Sequence, residues 1–195
     1  MIWRVGVTGC RALALAAAAV AAALAGCGGG GRDGSTGGFA GTTAGKTAPV
    51  AFTLTSSAFA DGGRIPRRFT CDGDDERPPL AWDAPPAGTR GLLLVVEDPD
   101  APGGTFLHEL AWGLAPGLRA LPAGKPAPSE GRNGFGTTGW RGPCPPPGPE
   151  HRYVFRLIAL DRPVDAAPGA ARAEVEPQVA AHALGEARLV GRYGR

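Results

Sequence analysis

Two apolar runs of β-strand type constrain this chain more than any other feature of its sequence. Residues 91–97 read GLLLVVE, and residues 152–160 read RYVFRLIAL. Runs of this length and composition are typical of strands buried within a sheet. Residues 51–56 alternate apolar and polar side chains, and residues 108–114 also favour an extended conformation. The sequence therefore predicts a mainly β domain.

Helix is predicted at one place. Connections such as residues 142–149 are rich in proline and glycine, which disfavour helix interiors. Residues 176–184 form the one good helix candidate, with Pro177 in the first turn, where proline is tolerated, and Gly185 as the stop signal. Residues 187–193 then return to strand. We therefore expect one or two short helices beside the sheet.

The first 26 residues have the pattern of an export signal. Arg4 and Arg11 precede an alanine-rich apolar run over residues 12–25, which matches a basic segment followed by a hydrophobic segment. The run is too short for a membrane-spanning helix, which needs about 20 apolar residues. We therefore expect residues 1–26 to be removed during export.

The end of this signal predicts a lipid anchor. Residues 24–27 read LAGC, which resembles the lipobox of bacterial lipoproteins, where the cysteine is acylated and becomes the first mature residue. We expect Cys27 to carry fatty-acyl groups such as palmitate, because two or more chains anchor stably. The chain would then contact the membrane through its lipid alone, at the outer face of the cell membrane or facing the periplasm. An ordinary secretory signal with an incidental cysteine is the alternative.

A tether and a single domain follow the anchor. Residues 27–49 are dominated by Gly, Thr and Ser, and they have too little apolar surface to offset the entropy of ordering. They are predicted to be a flexible tether that spans a few tens of ångströms. Residues 50–195 have the size of one domain and show no internal repeat.

Charge excludes one class of partner. The chain has 20 Lys and Arg against 18 Asp and Glu, so it is close to neutral. It also lacks a basic stripe, an RNA-binding motif and zinc-finger spacing. We therefore predict no nucleic-acid partner. We also expect no cofactor.

A cluster of carboxylates and two histidines are the candidate chemistry. Asp98 and Asp100 follow the first apolar run, in a turn stiffened by two prolines. His108 and His151 each open a predicted strand, so they lie where loops meet the sheet and where binding sites concentrate. A solvent-facing turn, a metal site, an acid–base group and a polar pocket all remain open. A metal site is disfavoured because these residues lack close metal-ligand spacing.

Two cysteines remain in the predicted domain. A bridge between Cys71 and Cys144 would stabilise an exported fold by roughly 4 kcal/mol through its effect on the unfolded chain. Two inert buried thiols and a redox pair are the alternatives.

Short motifs along the domain resemble one known family. They match it in order and at its spacing over residues 52–195. The motifs are Ser57-Ala58-Phe59, Ile65-Pro66, Thr70-Cys71-Asp72-Gly73, Pro78-Pro79-Leu80-x-Trp82, Glu97-Asp98-Pro99-Asp100-Ala101-Pro102, Gly104-Thr105-Phe106-x-His108, Asn133-x-Phe135-Gly136, Gly142-Pro143-Cys144-Pro145-Pro146 and His151-Arg152-Tyr153. The chain resembles the phosphatidylethanolamine-binding protein family, in its bacterial Raf-kinase-inhibitor-like branch.

The resemblance implies a large central antiparallel sheet, a smaller second sheet and a pocket that accepts phosphate, acetate or phosphoethanolamine groups. It implies the following ligand-binding residues in this chain: Asp98, Asp100, His108, His151 and Tyr153, with Pro143 and Cys144 in the rim loop. This branch usually has Trp and Asn where the chain has Glu109 and Gly113, so we expect the rim and the following strand to be altered. Animal members also carry a C-terminal helix over the pocket, and we expect a more open site here.

The sequence favours a binding or regulatory module for small anions or phospholipid head groups, without catalysis. An anion beside two aspartates requires compensation, so we expect burial to raise the pKa of one carboxyl group and a histidine to supply positive charge. An inhibitor of an extracytoplasmic protease or other enzyme, with a protein target in the cell envelope, is one alternative. An enzyme that acts on a phosphoester is the other.

Overall fold

The computed structural model describes residues 50–195. The predicted signal peptide, the lipidated Cys27 and the predicted tether therefore lie outside the described residues. No helix within residues 50–195 has both the length and the apolar character needed to cross a membrane.

The described chain forms two sheets, one helix and one turn of 3-10 helix. The strands and helices are β1 (Val50–Ala51), β2 (Leu54–Thr55), the 3-10 turn (Arg67–Phe69), β3 (Leu80–Trp82), β4 (Gly91–Asp98), β5 (Phe106–Leu114), β6 (Ala120–Leu121), β7 (Ser129–Glu130), β8 (His151–Leu160), α1 (Arg172–His182) and β9 (Ala183–Tyr193). The large sheet has the order β1-β9-β8-β4-β5-β7, and the small sheet has the order β2-β3-β6. All pairs are antiparallel except β1 with β9. The predicted fold class is confirmed.

β4 is the centre of the structure because both of its faces are apolar. All eight of its residues are buried between β5 and β8. Leu94 and Val96 join the core between the two sheets, whereas Leu93 and Val95 join a second core under α1. Successive strand residues point to opposite faces, so an uninterrupted apolar run fits a strand covered on both sides.

Two local predictions were wrong. The helix begins at Arg172 and ends at His182, so Pro177 lies in its interior, and Gly185 belongs to β9. The helix starts earlier than predicted because Glu174 accepts the Ala171 N–H at 2.8 Å, which satisfies a backbone donor at the helix N-terminus.

The alternating segment over residues 51–56 is not one strand. β1 joins the large sheet, and β2 joins the small one. Between them, the Thr53 N–H donates to Asp83 Oδ1 at 2.8 Å, which turns the chain from one sheet to the other.

A β-bulge in β5 sets the orientation of its polar residues. Glu109 pairs with Val96 and Leu107 pairs with Glu97, so His108 is an extra residue between them. Leu107 and Leu110 pack into the core under α1. His108 contacts Tyr153, which belongs to the core between the sheets. The bulge thus allows a buried polar residue to leave the strand on the inter-sheet side.

Candidate functional site

A cavity of about 190 Å³ lies where β4 ends and β5 and β8 begin. Its polar side chains are Asp98, His108, His151 and Tyr153, and all four are buried. Cys144 also lines the cavity, so the structure brings together five of the seven residues that the sequence analysis selected. We call this cavity the head-end pocket.

Asp98 and His151 form a buried pair in the head-end pocket. The Nδ1–H of His151 donates to Asp98 Oδ2 at 2.8 Å. The other carboxylate oxygen, Oδ1, accepts the N–H of Asp100 at 2.9 Å. Both oxygens of Asp98 are therefore occupied, and because Nδ1 of His151 carries the donated proton, Nε2 is the ring nitrogen left for a ligand.

His108 is held in one tautomer. Its Nδ1 lies 2.5 Å from the carbonyl oxygen of Arg141, which can only accept, so Nδ1 carries a proton. Burial lowers the pKa of His108 below its ordinary value. The ring is edge-on to Tyr153, with a centroid separation of 5.2 Å. At neutral pH His108 is therefore neutral, and it offers Nε2 as a hydrogen-bond acceptor.

The Tyr153 hydroxyl is a buried donor next to the Asp98 carboxylate. It meets no acceptor with full hydrogen-bond geometry, and its interaction with Asp98 is a weaker, side-chain contact. Burial raises the pKa of Tyr153 well above its usual range, and the charge of Asp98 adds to the effect. The phenol therefore keeps its proton. A buried hydroxyl costs free energy unless it is hydrogen-bonded, so a ligand oxygen is a suitable partner.

Asp100 is outside the head-end pocket, contrary to the prediction. Arg152 donates from Nε to Oδ2 at 2.8 Å and from Nη2 to Oδ1 at 2.6 Å. The Arg152 backbone N–H donates to the same carboxylate at 2.9 Å. The hydrogen bond from the Arg152 side chain lowers the pKa of Asp100 to about 2. Asp100 therefore stays ionised, and it is not the protonated carboxyl that the sequence analysis expected.

A disulfide braces the rim. Cys71 and Cys144 are bonded, with their Cα atoms 5.4 Å apart. The predicted bridge is confirmed, and Cys144 lines the head-end pocket. Pro143 does not line it; instead its carbonyl accepts the Cys71 N–H at 3.1 Å. The rim loop is thus attached to the 70–73 segment by a covalent bond and a hydrogen bond.

The apolar wall of the head-end pocket contains two phenylalanine rings to which the sequence analysis assigned no role. Phe106 and Phe135 meet edge to face, with a centroid separation of 4.8 Å. Phe135 is 44% exposed, which is unusual for so large an apolar side chain. Asn133 Oδ1 accepts the Phe135 N–H at 3.0 Å and so fixes the loop. The sequence signal that could have identified Phe135 is its place in the motif Asn133-x-Phe135-Gly136.

Neither Glu109 nor Gly113 lines the head-end pocket. Glu109 is fully buried, and its Oε1 accepts from Arg77 Nη1 at 3.1 Å, outside the head-end pocket. Burial raises the pKa of Glu109 to about 7. Gly113 has φ of 77° beside a register shift in β5, which is a conformation that favours glycine.

No three His, Cys, Asp or Glu side chains in residues 50–195 form a group that could hold a metal ion.

Comparison with known proteins places these features in a family. The sequence model of the family described as "Phosphatidylethanolamine-binding protein" matches residues 55–194. A UPF0098 protein of Methanothermobacter thermautotrophicus is 44% identical over 73% of this chain and 98% of its own length. A Mycobacterium tuberculosis protein named "Putative lipoprotein LppC" is 42% identical over 75% of each chain.

Solved structures agree. A phosphatidylethanolamine-binding protein homologue from Chlamydia trachomatis superposes with a TM-score of 0.71 and 33% identity, over 74% of this chain and 98% of that one. A structure of E. coli YbcL, described as a member of the mammalian family, gives a TM-score of 0.69 and 27% identity over the same shares. The residues that the family model matches, 55–194, include Asp98, His108 and His151. The chain belongs to the phosphatidylethanolamine-binding protein family.

Proposed function

We propose that this protein is a binding module whose head-end pocket takes a small phosphate or carboxylate head group. The observation that carries the proposal is the Tyr153 hydroxyl, a buried donor that meets no acceptor with full hydrogen-bond geometry, in a pocket lined by two imidazole rings. The hydroxyl donates to a ligand oxygen. A protonated phosphate oxygen donates in turn to Nε2 of neutral His108.

The negative charge of Asp98 is compatible with a bound anion because hydrogen bonds from neighbouring residues stabilise it. Its oxygens already accept from His151 and from the Asp100 backbone. Proton uptake at Nε2 of His108 turns that atom into a donor to the ligand, and the charge of Asp98 favours the uptake while burial opposes it. Anion binding by this pocket is thus linked to proton uptake.

We further propose that the pocket binds its ligand without transforming it. None of the described lining residues is a serine, threonine or lysine, and the one cysteine, Cys144, is in a disulfide. The groups that could attack a substrate are therefore Asp98, Tyr153 and the two imidazoles, and the proposal gives these groups binding roles. A phosphoester panel tests this: turnover that disappears in Asp98→Asn would establish an enzyme instead.

We also propose that the domain works at a membrane surface. Support comes from the LAGC sequence at residues 24–27 and from the name of the M. tuberculosis relative. Mass spectrometry of the mature N-terminus should find acylated Cys27. Finding an unmodified N-terminus at another residue would contradict the anchor.

The binding proposal is tested by calorimetric titration of the full chain with O-phosphoethanolamine. Tyr153→Phe removes only the hydroxyl and should weaken binding about three- to tenfold, because one hydrogen bond is worth about 0.5–1.5 kcal/mol. Tyr193→Phe is the matched control, since the Tyr193 hydroxyl donates to Asp72 outside the pocket. Equal affinity for wild type and Tyr153→Phe would contradict the proposal.

A further inference from the structure

Asp75 has an unusual backbone conformation and does not line the head-end pocket. Within residues 50–195, it is the one residue other than glycine with a positive φ, at 56°. This left-handed conformation is sterically unfavourable for a residue with a Cβ atom, although aspartate tolerates it better than most. Such a conformation persists where the surrounding contacts impose it. The contacts of Asp75 therefore indicate what the residue does.

The Asp75 carboxylate holds two consecutive residues of the rim loop. Its Oδ1 accepts the Gly142 N–H at 2.7 Å. Its Oδ2 lies 3.4 Å from Nε of Arg141. The approach is close: a Cβ atom on Gly142 would lie 2.7 Å from Oδ1 and 2.6 Å from the Phe69 carbonyl oxygen. Glycine at position 142 therefore allows Asp75 to reach the backbone of the loop.

The backbone of Arg141 makes two hydrogen bonds to His108. Its N–H donates to the His108 backbone carbonyl at 3.2 Å. Its carbonyl accepts the Nδ1–H of the His108 ring at 2.5 Å. That carbonyl belongs to the same peptide unit as the Gly142 N–H that Asp75 accepts. One peptide unit therefore joins the Asp75 carboxylate to the His108 imidazole.

This arrangement is a chain of hydrogen bonds that runs from a carboxylate to a ring. Hydrogen bonds in such a chain polarise one another. An ionised Asp75 at the N–H end of the peptide makes the carbonyl at the other end a stronger acceptor. The chain thus favours the Nδ1–H tautomer of His108, which leaves Nε2 for a ligand. It also fixes the orientation of the ring.

The charge of Asp75 acts on His108 as well. Burial lowers the pKa of His108, whereas the Arg141 carbonyl and the charges of Asp98 and Asp75 oppose this effect. The other titratable or charged side chains around the ring are those of His151 and Tyr153, which line the pocket with it, and of Arg141, which stacks over Phe135. Removing the charge of Asp75 should therefore lower the pKa of His108 further.

We propose that Asp75 is a positioning residue of the head-end pocket, which orients His108 through the Arg141–Gly142 peptide unit. The inference rests on the proposed function, because that function assigns Nε2 of His108 to the ligand. Asp75 holds the peptide, and the peptide holds Nδ1–H of the ring. Neither Asp75 nor Arg141 lines the pocket, so the effect of Asp75 on a ligand is indirect.

The first test is NMR of the ¹⁵N-labelled histidine rings in the full chain, without ligand. The ring ¹⁵N chemical shifts report the tautomer, their pH titration reports the pKa, and His108→Gln assigns the signals. Asp75→Gly removes the carboxylate and suits the positive φ. We expect the Nδ1–H tautomer of His108 in the wild type. In Asp75→Gly we expect a mixture of tautomers and a lower pKa.

Asp75→Asn separates the charge from the hydrogen bond. It keeps an oxygen that can accept the Gly142 N–H, and asparagine also tolerates a positive φ. The Nδ1–H tautomer should persist in this variant while the pKa of His108 falls. The pKa in Asp75→Asn decides the question should Asp75→Gly not fold. Asp74→Asn and Asp74→Gly are the matched controls, because Asp74 is adjacent in sequence and exposed, and they should change neither property.

Calorimetric titration with O-phosphoethanolamine at pH 7 connects the ring to the ligand. Asp75→Gly should weaken binding about threefold or more, because the hydrogen bond to His108 Nε2 is no longer prepared in advance. Asp75→Asn should weaken binding less, since it keeps the tautomer. Asp74→Gly should bind as the wild type does.

Two results would overturn the proposal. One is a His108 ring in the Asp75 variants with the tautomer and pKa of the wild type, which would show that Asp75 holds the loop without acting on His108. The other is an equal change in the Asp74 variants. The proposed function fails separately, if O-phosphoethanolamine does not bind to the wild type, because NMR of the ligand-free protein still decides the role of Asp75.

Discussion

The Nδ1–H of His151 donates to Asp98 Oδ2 at 2.8 Å, across 53 positions of sequence. The pair joins the end of β4 to the start of β8. It fixes the tautomer of the imidazole and places a counter-charge behind it. In the proposed function, this relationship allows a pocket that contains a carboxylate to accept an anion, because the carboxylate already accepts from His151.

Phosphate affinity should fall as pH rises from the acidic range towards neutrality, because the imidazolium form of His108 supplies positive charge. Burial lowers the pKa of His108, so the contribution of that ring is confined to the acidic end. Calorimetric titration with inorganic phosphate across this range measures the effect. A flat profile would contradict the protonation scheme, although not the pocket itself.

Asp98→Asn should move this profile to lower pH, because the charge of Asp98 raises the pKa of His108 and the variant removes that charge. Asp100→Asn is the matched control. It removes a carboxylate two positions away whose partner is Arg152 and which does not line the pocket. An equal displacement by both variants would show that long-range charge, and not the buried pair, sets the profile.

Removing the disulfide should destabilise the domain. Replacing both Cys71 and Cys144 by serine opens a loop of 73 positions, for which the chain-entropy model gives a loss of roughly 4 kcal/mol. Urea denaturation of the wild type and of the double-serine variant measures this loss in the free energy of unfolding. A loss below about 1 kcal/mol would mean that the bridge shapes the rim without stabilising the fold.

Glu109 should make the folded state less stable as pH rises. Its pKa is raised from 4.5 to about 7 in the folded protein. The folded state therefore binds a proton more tightly than the unfolded state. The resulting stabilisation is fully present below pH 4.5 and is lost as pH rises through 7, by up to about 3 kcal/mol.

Glu109→Gln removes this titrating group but keeps an oxygen that can accept from Arg77. Its free energy of unfolding should vary less between pH 4.5 and 8 than that of the wild type, as measured by urea denaturation at several pH values. Identical pH dependence in the two proteins would assign the effect to other groups.

Burial patterns explain what the sequence could and could not predict. The runs that became β4 and β8 are apolar on both faces, so their pattern alone indicates central strands. The start of α1 was missed because its N-terminal residue is alanine, which carries no capping side chain. The cap comes instead from Glu174.

The site was only partly predictable for a similar reason. His151 and Arg152 are consecutive in β8, so their side chains leave on opposite faces of the sheet. His151 pairs with Asp98 inside the pocket, and Arg152 pairs with Asp100 outside it. The motif grouped both aspartates because only Pro99 separates them in sequence. The buried partner of Glu109, Arg77, lies 32 positions away and could not be identified from spacing.

The most direct test of the proposed function is a crystal structure of the protein grown with O-phosphoethanolamine. We predict phosphate density in the head-end pocket, within hydrogen-bonding distance of the Tyr153 hydroxyl and His151 Nε2. An empty pocket, or a phosphate held elsewhere by surface arginines such as Arg152 and Arg188, would contradict the account.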